Sequence, residues 1–591
     1  MSVTGRDWIL KEFDEEKISF LKENFSLDEI TARLLAIRNI KNEDVNSFLN
    51  PSIKNFMPNP NVLKDMEKSS LRFLETVDKK EKVGIFGDYD VDGATSTALL
   101  GKYLEILNIN YEIYIPDRTT EGYGPSKNGF DALIKKGVKL IITVDCGTLS
   151  FEAIKHAKDK NLDVIVLDHH QSDVNLPAAF SIVNPNRIDD NSNLNYLCAA
   201  GVTFMFLVSV NRELRTRDWF KKNFIKEPNL INFLDLVSLG TVCDVVPLVG
   251  LNRAIVKQGL KILRIKQNIG LKTLIDICKI DSHPSIYHLG YTIGPRINAG
   301  GRVGKCSHGA NLLLNSNPKK VFEIATELEE FNKERKFLEN DLISKILNEI
   351  KIDNKDPVII LKGNDWHEGI IGIVASRIKD RYNKPTIIIS IKKNIGKASA
   401  RSIVGFDIGS AVLAALEEQI LSKGGGHKMA AGFQIEVNNI DKFKDFIIKR
   451  FNKISVNSLV NKPLYFDSRI SPAAVNLEFY DKINTLSPFG SGNPEPKFVI
   501  ENLKPVSSKI VGEKHVKAIL VGKEGSSIKT IAFNASDSDL GAYLLTKNTN
   551  LMNIAGKLSL NEWKGQKNVE FIIDDISVNK KTKNKVPSSI G

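Results

Sequence analysis

Gly84-Ile85-Phe86-Gly87-Asp88-Tyr89-Asp90-Val91-Asp92-Gly93 sets three carboxylates at alternate positions where an apolar strand runs out. Like charges so placed repel, and a cation between them relieves the repulsion. Two later apolar runs end the same way, in Val144-Asp145 and in Leu167-Asp168-His169-His170. Short Val/Ile runs without alternation, spaced by roughly 25 to 30 residues, indicate a buried parallel sheet. Strands are predicted at 83–87, 111–115, 139–145, 163–167 and 180–183, with helices at 94–107, 127–136 and 150–160 between them. Asp90, Asp92, Asp145, Asp168 and His169 then all follow strand C-termini, the edge where open α/β sheets bind ligands.

The Asp-x-Asp-x-Asp-Gly segment opens like a calcium EF-hand loop, which requires a bidentate Glu at its twelfth position. Counting from Asp88, that position is Leu99, and a strand rather than a helix precedes the segment. No G-x-x-x-x-G-K-[ST] or G-x-G-x-x-G follows these strands, so phosphate and dinucleotide loops are excluded too. Asp145 alone would read as a helix cap and Asp168-His169-His170 as a turn. A further candidate is Asp244, in Gly240-Thr241-Val242-Cys243-Asp244-Val245-Val246-Pro247, where apolar neighbours leave a carboxylate in need of a partner. Carboxylates with one imidazole suit Mn²⁺ or Mg²⁺ better than zinc. Five or so ligands exceed the needs of one ion and fit two, about 3.5–4 Å apart. The chemistry such a pair supports is hydrolysis of a phosphoester.

The chain has 591 residues, enough for three or four domains. Its 82 Lys and Arg against 70 Asp and Glu leave a net charge of +12, which suits a polyanionic substrate meeting metal in an acidic pocket. Cys146, Cys198, Cys243, Cys278 and Cys306 contain no C-x-x-C pair, so reduced thiols are expected. Cys146 and Cys243, beside candidate ligands, read as small packing residues. Met1 to Trp8 lacks a signal-peptide core and Val202–Val210 is too short to span a bilayer, so a soluble, cytoplasmic protein without a membrane role is expected.

The expected fold class is multi-domain α/β. Residues 1–75 read as a helical lead-in, 76–316 as the metal-binding domain and 317–352 as a connecting helix. Residues 353–456 read as a second α/β domain, 462–578 as a small β-barrel of the OB kind, and 579–591 as a basic tail.

Gly-Asp-Tyr-Asp-Val-Asp-Gly-Ala-Thr-Ser-Thr, Val-Asp-Cys-Gly, Asp-His-His and Gly-Thr-Val-Cys-Asp-Val-Val-Pro-Leu together resemble the motifs of the DHH phosphoesterases, in particular their single-strand-specific exonucleases. The likeness continues in Gly294-Pro295-Arg296-Ile297-Asn298-Ala299-Gly300-Gly301-Arg302, in Gly424-Gly425-Gly426-His427 and in Pro488 to Pro496. It implies a DHH domain joined by the long helix to a DHHA1 substrate-binding domain and then an OB-like domain. It further implies Asp90, Asp92, Asp145, His169 and Asp244 as metal ligands, with Asp145 bridging two Mn²⁺ or Mg²⁺ ions. Asp88, Asp168 and His170 are the catalytic candidates: Asp88 supporting the first metal, Asp168 orienting His169, and His170 reaching a substrate phosphate or the leaving oxygen. Arg118, Arg296, Asn298, Arg302, Ser399, Arg401, Gly425, Gly426 and His427 are candidates for binding the substrate, the glycine run as a loop and the arginines as phosphate clamps.

The activity implied is 5′-to-3′ degradation of single-stranded DNA to mononucleotides in recombination and repair, by a monomer with single-strand-binding protein and a RecQ-type helicase as partners. Two alternatives are a phosphodiesterase of short oligonucleotides or cyclic dinucleotides, and a non-catalytic single-strand-binding scaffold.

Overall fold

The computed structural model describes residues 2–118, 120–350, 356–453, 463–546, 551–563 and 566–578. The expected basic tail at 579–591 and the last residues of the expected connecting helix, 351–352, lie outside the described residues. The chain divides into two compact units, one of residues 52–459 and one of residues 1–51 with 460–591.

The first unit contains a fully parallel five-stranded sheet in the order Tyr111–Tyr114, Val83–Gly87, Leu140–Val144, Asp163–Leu167, Ser181–Val183. All five predicted strands are present. Val83–Gly87 and Leu140–Val144 are buried throughout, which explains why neither alternates polar with apolar residues. The chain leaves the first strand in sequence, Val83–Gly87, toward one neighbour and returns on its other side. The topological switch point therefore lies between Val83–Gly87 and Leu140–Val144, and the crevice beyond it is where Asp88 and Asp145 emerge.

Helix Val91–Ile106 packs across this sheet and is buried on nearly every side, its interior faces filled by Thr95, Ser96 and Thr97 as well as Leu99, Leu100 and Leu104. Helices Ala199–Thr216 and Leu234–Cys243 complete its surroundings. At Gly240 an added Cβ would sit 2.7 Å from Asp92 Oδ1, so a glycine is needed there for Leu234–Cys243 to approach Val91–Ile106 this closely.

Helix Pro318–Glu349, about 48 Å long, leads to the second sheet of this unit. Its buried Glu339 receives Arg335 Nη1 at 3.0 Å from its own helix and Arg377 Nε at 2.7 Å from helix Ile371–Tyr382. The second sheet runs Lys423–His427, Ala430–Glu436, Ile395–Arg401, Thr386–Lys392, Ile359–Asn364, antiparallel except for its last pair. The glycine run, expected as a loop, is instead the edge strand Lys423–His427, paired with Ala430–Glu436 through a short turn.

The second unit is built on a ring of pairings. Phe498–Val511 pairs with His515–Val521, that with Ser527–Ala532, then Gln566–Val578, then Met552–Trp563, which returns to Phe498–Val511. Five strands closing on themselves are the arrangement of an OB-type barrel. The expected helical lead-in also contains a strand. Trp8–Leu10 is a strand parallel to Leu464–Phe466, and Trp8 Nε1 donates to Asp575 Oδ2 at 2.8 Å. Helices Glu15–Phe25 and Glu29–Ile37 share one core with Phe498, Phe571 and Ile576. Residues 1–51 thus belong to the barrel unit, and the chain passes to the first unit just after Asn50-Pro51.

Candidate metal centre

At the switch point the sequence turns sharply out of strand Val83–Gly87 and into helix Val91–Ile106. Asp90 caps that helix, its Oδ1 accepting Gly93 N–H at 3.0 Å. At Gly93 an added Cβ would fall 2.6 Å from Asp88 O, so this turn needs glycine. Asp145 has φ of +62°, a left-handed conformation that Asp tolerates better than bulkier residues and that is found at strained functional turns.

Three ligand-like sets overlap here: Asp88, Asp90 and Asp145; Asp92, His169 and Asp244; and Asp145, His169 and His170. In each set the donor atoms lie within 4.8 Å of one another. His169 Nε2 stands 3.3 Å from Asp145 Oδ1, 3.6 Å from Asp244 Oδ2 and 3.7 Å from Asp92 Oδ2, and so joins the sets. Asp88 Oδ1, Asp145 Oδ1 and Asp244 Oδ2 are buried without accepting a hydrogen bond among the described residues. Asp92 is better satisfied, since its carboxylate takes Ala199 N–H and Ala200 N–H at the start of helix Ala199–Thr216.

The electrostatics follow from burial and crowding. Burial, reinforced by Asp90, pushes the Asp88 carboxyl well above its ordinary range, and burial with the charges of Asp90, Asp92, Asp88 and Asp244 does the same to Asp145. Burial and then Asp92 and Asp90 raise Asp244 to about 9. Burial keeps His169 below its usual value, which leaves it neutral and able to ligate. Unpaired carboxylates packed this tightly are the donor set that a hard divalent cation fits.

Asp168 and His170 form a separate pair. Burial works against the Asp168 charge, but His170 Nδ1 at 2.7 Å, Thr148 N–H at 3.0 Å and the His169 and His170 N–H groups hold it below the usual carboxylate range. His170 in turn rises to about 9, because the hydrogen bond and charge of Asp168 outweigh burial. The expectation that Asp168 orients the His169 ring is corrected: its carboxylate holds the His170 ring and reaches His169 only through the backbone. The His169–His170 segment is further held by Asn184, which donates to His170 O, and by Asn186, which donates to His169 O.

Tyr123 also belongs to the site, although no motif in the sequence singles it out. Its hydroxyl donates to Asp145 O at 2.9 Å and lies 3.1 Å from His170 Nδ1, tying the strained Asp145 turn to His170. Only the flanking glycines of Gly122-Tyr123-Gly124 signal it. Cys146 and Cys243 behave as the small packing groups expected, their thiols raised above the ordinary value chiefly by burial.

The expected phosphate-binding residues separate into two groups. Arg118 lies over the Tyr89 ring at 5.3 Å, Arg302 Nη1 donates to Gly369 O at 3.0 Å, and Arg401 Nη1 donates to Ser399 Oγ and Ala400 O. Arg302 is lowered to about 10 by burial and by the charges of Arg118, Arg335 and Arg401, and Arg401 is lowered by burial and Arg118. These three guanidiniums lie near enough to act on one another's charge and have no ion-pair partner among the described residues, and Asp90 is near enough to act on Arg302. Arg296 does not join them: it is committed to Glu329 and to Thr292 O. Asn298 is half-buried on the same helix as Arg302, and Ser399 reaches these arginines through Arg401. Gly426 and His427 are exposed on the edge strand, while Gly425 has nothing within 4 Å of where a Cβ would stand.

A parallel sheet with a carboxylate and imidazole cluster at its switch point, followed by a long helix and a mixed sheet, is the architecture of a DHH-type phosphoesterase. Residues 82–241 match the DHH family, N-terminal domain, residues 355–453 the DHHA1 domain, and residues 466–575 the RecJ OB domain. The single-stranded-DNA-specific exonuclease RecJ of Escherichia coli (strain K12) is 34% identical over 93% of this chain and 96% of its own length. The RecJ of Bacillus subtilis (strain 168) is 31% identical, with coverage of 97% and 71%. The crystal structure of RecJ from Thermus thermophilus in complex with Mn²⁺ has the same fold, with a TM-score of 0.80, 24% identity, and coverage of 97% of this chain and 80% of that one. The chain belongs to the RecJ family.

Proposed function

We propose that this chain is an exonuclease specific for single-stranded DNA that hydrolyses phosphodiester bonds with two divalent cations, Mn²⁺ or Mg²⁺. The activity is that borne by the names of its relatives, and no helix among the described residues is long and apolar enough to cross a membrane. The observation that carries the reading is the set of buried carboxylate oxygens of Asp88, Asp145 and Asp244, unsatisfied by any hydrogen-bond donor among the described residues and spread over two ligand-like sets that His169 joins, beside an arginine pocket. Asp88, Asp90 and Asp145 would hold one cation and Asp92, His169 and Asp244 the other, with Asp145 shared. Such a pair supplies an activated water and neutralises charge developing on the phosphorus.

The chain's own residues do the rest. Asp168 holds the His170 ring through Nδ1, which leaves Nε2 to donate a hydrogen bond to a phosphate oxygen or to the leaving oxygen. Tyr123 holds His170 and the Asp145 turn in register. Arg118, Arg302 and Arg401 bind a terminal phosphate and leave the adjoining bond at the carboxylate cluster, which yields mononucleotides from the 5′ end. The same reading places the enzyme in the cytoplasm, acting as a monomer in recombination and repair, with single-strand-binding protein and a RecQ-type helicase as partners.

An end-labelled assay tests it: 5′-labelled and 3′-labelled single-stranded DNA and RNA in parallel, with Mn²⁺, Mg²⁺ or EDTA. We expect labelled mononucleotide to appear at once from the 5′-labelled DNA and late from the 3′-labelled DNA, and nothing in EDTA. Internal fragments as first products, or equal turnover in EDTA, would overturn the proposal.

A further inference from the structure

Between the cluster and the arginine pocket the chain runs along one helical rod. Residues His288–Ile293 form a single wide π-helical turn, which continues into helix Gly294–Val303. π-turns are rare and frequently mark functional sites. The inner side of this turn is fastened to the end of the helix that carries Asp244. Cys243 Sγ donates to Leu289 O at 3.4 Å, and a Cβ on Gly294 would sit 2.5 Å from that sulfur. Leu289 and Ile293 are buried beneath it. At the other end of the rod, Gly301 lies against Tyr89, and Arg302 enters the arginine pocket.

The outer side of the turn carries two tyrosines one turn apart. Tyr287 is 65% and Tyr291 75% exposed, and their rings stack at 5.3 Å with 25° between the planes. His288 meets Tyr287 edge-on at 5.9 Å, and its Nδ1 accepts Ser285 N–H at 3.0 Å, which fixes the ring supporting the pair. Among the described residues neither tyrosine hydroxyl has a partner, so nothing polar explains why the rings stand in solvent. Val245, directly after Asp244, adds a third exposed apolar side chain.

We infer that Tyr287 and Tyr291 are a stacking platform for unpaired bases of the substrate strand, at the end of the rod opposite the terminal-phosphate pocket. This rests on the function proposed above. Stacked aromatic faces accept any base, which suits binding without sequence preference. The platform is continuous with the proposed cleavage site through Leu289, Cys243 and Asp244, and its own rod ends in a cationic pocket, so one polyanionic strand meets both features. From Tyr291 to Arg302 the rod rises about 16 Å. A strand stacked at about 3.4 Å per nucleotide covers that in roughly five nucleotides. Strands of two or three nucleotides held at the arginine pocket therefore fall short of the platform.

The test compares the wild type, Tyr287→Ala/Tyr291→Ala and Tyr287→Phe/Tyr291→Phe on 5′-phosphorylated oligothymidylates of three and twenty nucleotides. Affinity is read by fluorescence anisotropy in EDTA and hydrolysis in Mn²⁺. The alanine pair should weaken binding of the 20-mer by about 5- to 150-fold and leave KM for the trimer unchanged. The phenylalanine pair should retain 20-mer affinity. Unchanged 20-mer affinity in the alanine pair, as a protein-docking role would give, overturns the inference, and so does an equal loss on the trimer. A wild type that degrades neither oligonucleotide would instead overturn the proposed function, which the same assay shows separately.

Discussion

Asp145→Asn should stabilise the metal-free protein while abolishing hydrolysis. Asp145 is 2% exposed, and an oxygen of its carboxylate lies within 4.8 Å of oxygens of both Asp88 and Asp90. Two unit charges at that distance repel by about 3.5 kcal/mol at an effective dielectric of about 20. Proton uptake relieves much of this in the metal-free protein, since its carboxyls are pushed up, so the net gain from removing one charge should be about 2 kcal/mol. Asn preserves the shape and tolerates the left-handed backbone, so no cavity or strain enters. For a unit of this size the gain corresponds to a rise of about 2–3 °C in thermal midpoint, measured by calorimetry in EDTA. Adding Mn²⁺ at about 100 times its dissociation constant should stabilise the wild type by about 2.7 kcal/mol and the variant far less, reversing their order. A variant that melts no higher than the wild type in EDTA, or that gains equally from Mn²⁺, would refute the argument that these carboxylates are strained for want of a cation.

The metal-free wild type should lose stability as pH rises from about 5 to 9. Asp244, raised to about 9, binds a proton in the folded state that the unfolded chain has already released, so its folding free energy is more favourable at the acidic end of this window. Thermal midpoints in EDTA across that range check the sign. Arg401→Ala should reduce the preference for a 5′-phosphate over a 5′-hydroxyl end by at least roughly tenfold, read as the ratio of kcat/KM on the two substrates. Tyr123→Phe should lower kcat by about two- to tenfold without loss of Mn²⁺ binding, since it removes one hydrogen-bonding hydroxyl and no ligand. Glu339→Ala leaves the buried Arg335 without its counter-charge and frees the exposed Arg377, and should destabilise the first unit by about 3–5 kcal/mol, seen as a lower thermal midpoint.

Local periodicity made the catalytic domain legible. Val83–Gly87, Leu140–Val144 and Asp163–Leu167 are short and almost wholly apolar, and the acidic residue that follows each necessarily lies at one sheet edge. What stayed hidden depends on pairings distant in sequence. Trp8–Leu10 pairs with Leu464–Phe466 from the far end of the chain, which no local pattern announces. Arg296 reads as a phosphate clamp until Glu329, 33 residues away, is found to hold it. The Asp168 carboxylate could face either neighbouring imidazole, and only the turn geometry selects His170. The glycine run suggested a loop because glycine disfavours strands, but pairing with Ala430–Glu436 overrides that preference. Tyr123 lacks any motif-like context and acts through one hydroxyl.

The central claim is that the carboxylates after these strands exist to hold a pair of cations. The measurement that tests it most directly is anomalous diffraction from crystals of this protein grown with Mn²⁺. Two peaks about 3.5–4 Å apart, one among Asp88, Asp90 and Asp145 and one among Asp92, His169 and Asp244, are the predicted result. No peak among these residues at saturating Mn²⁺ would contradict the account.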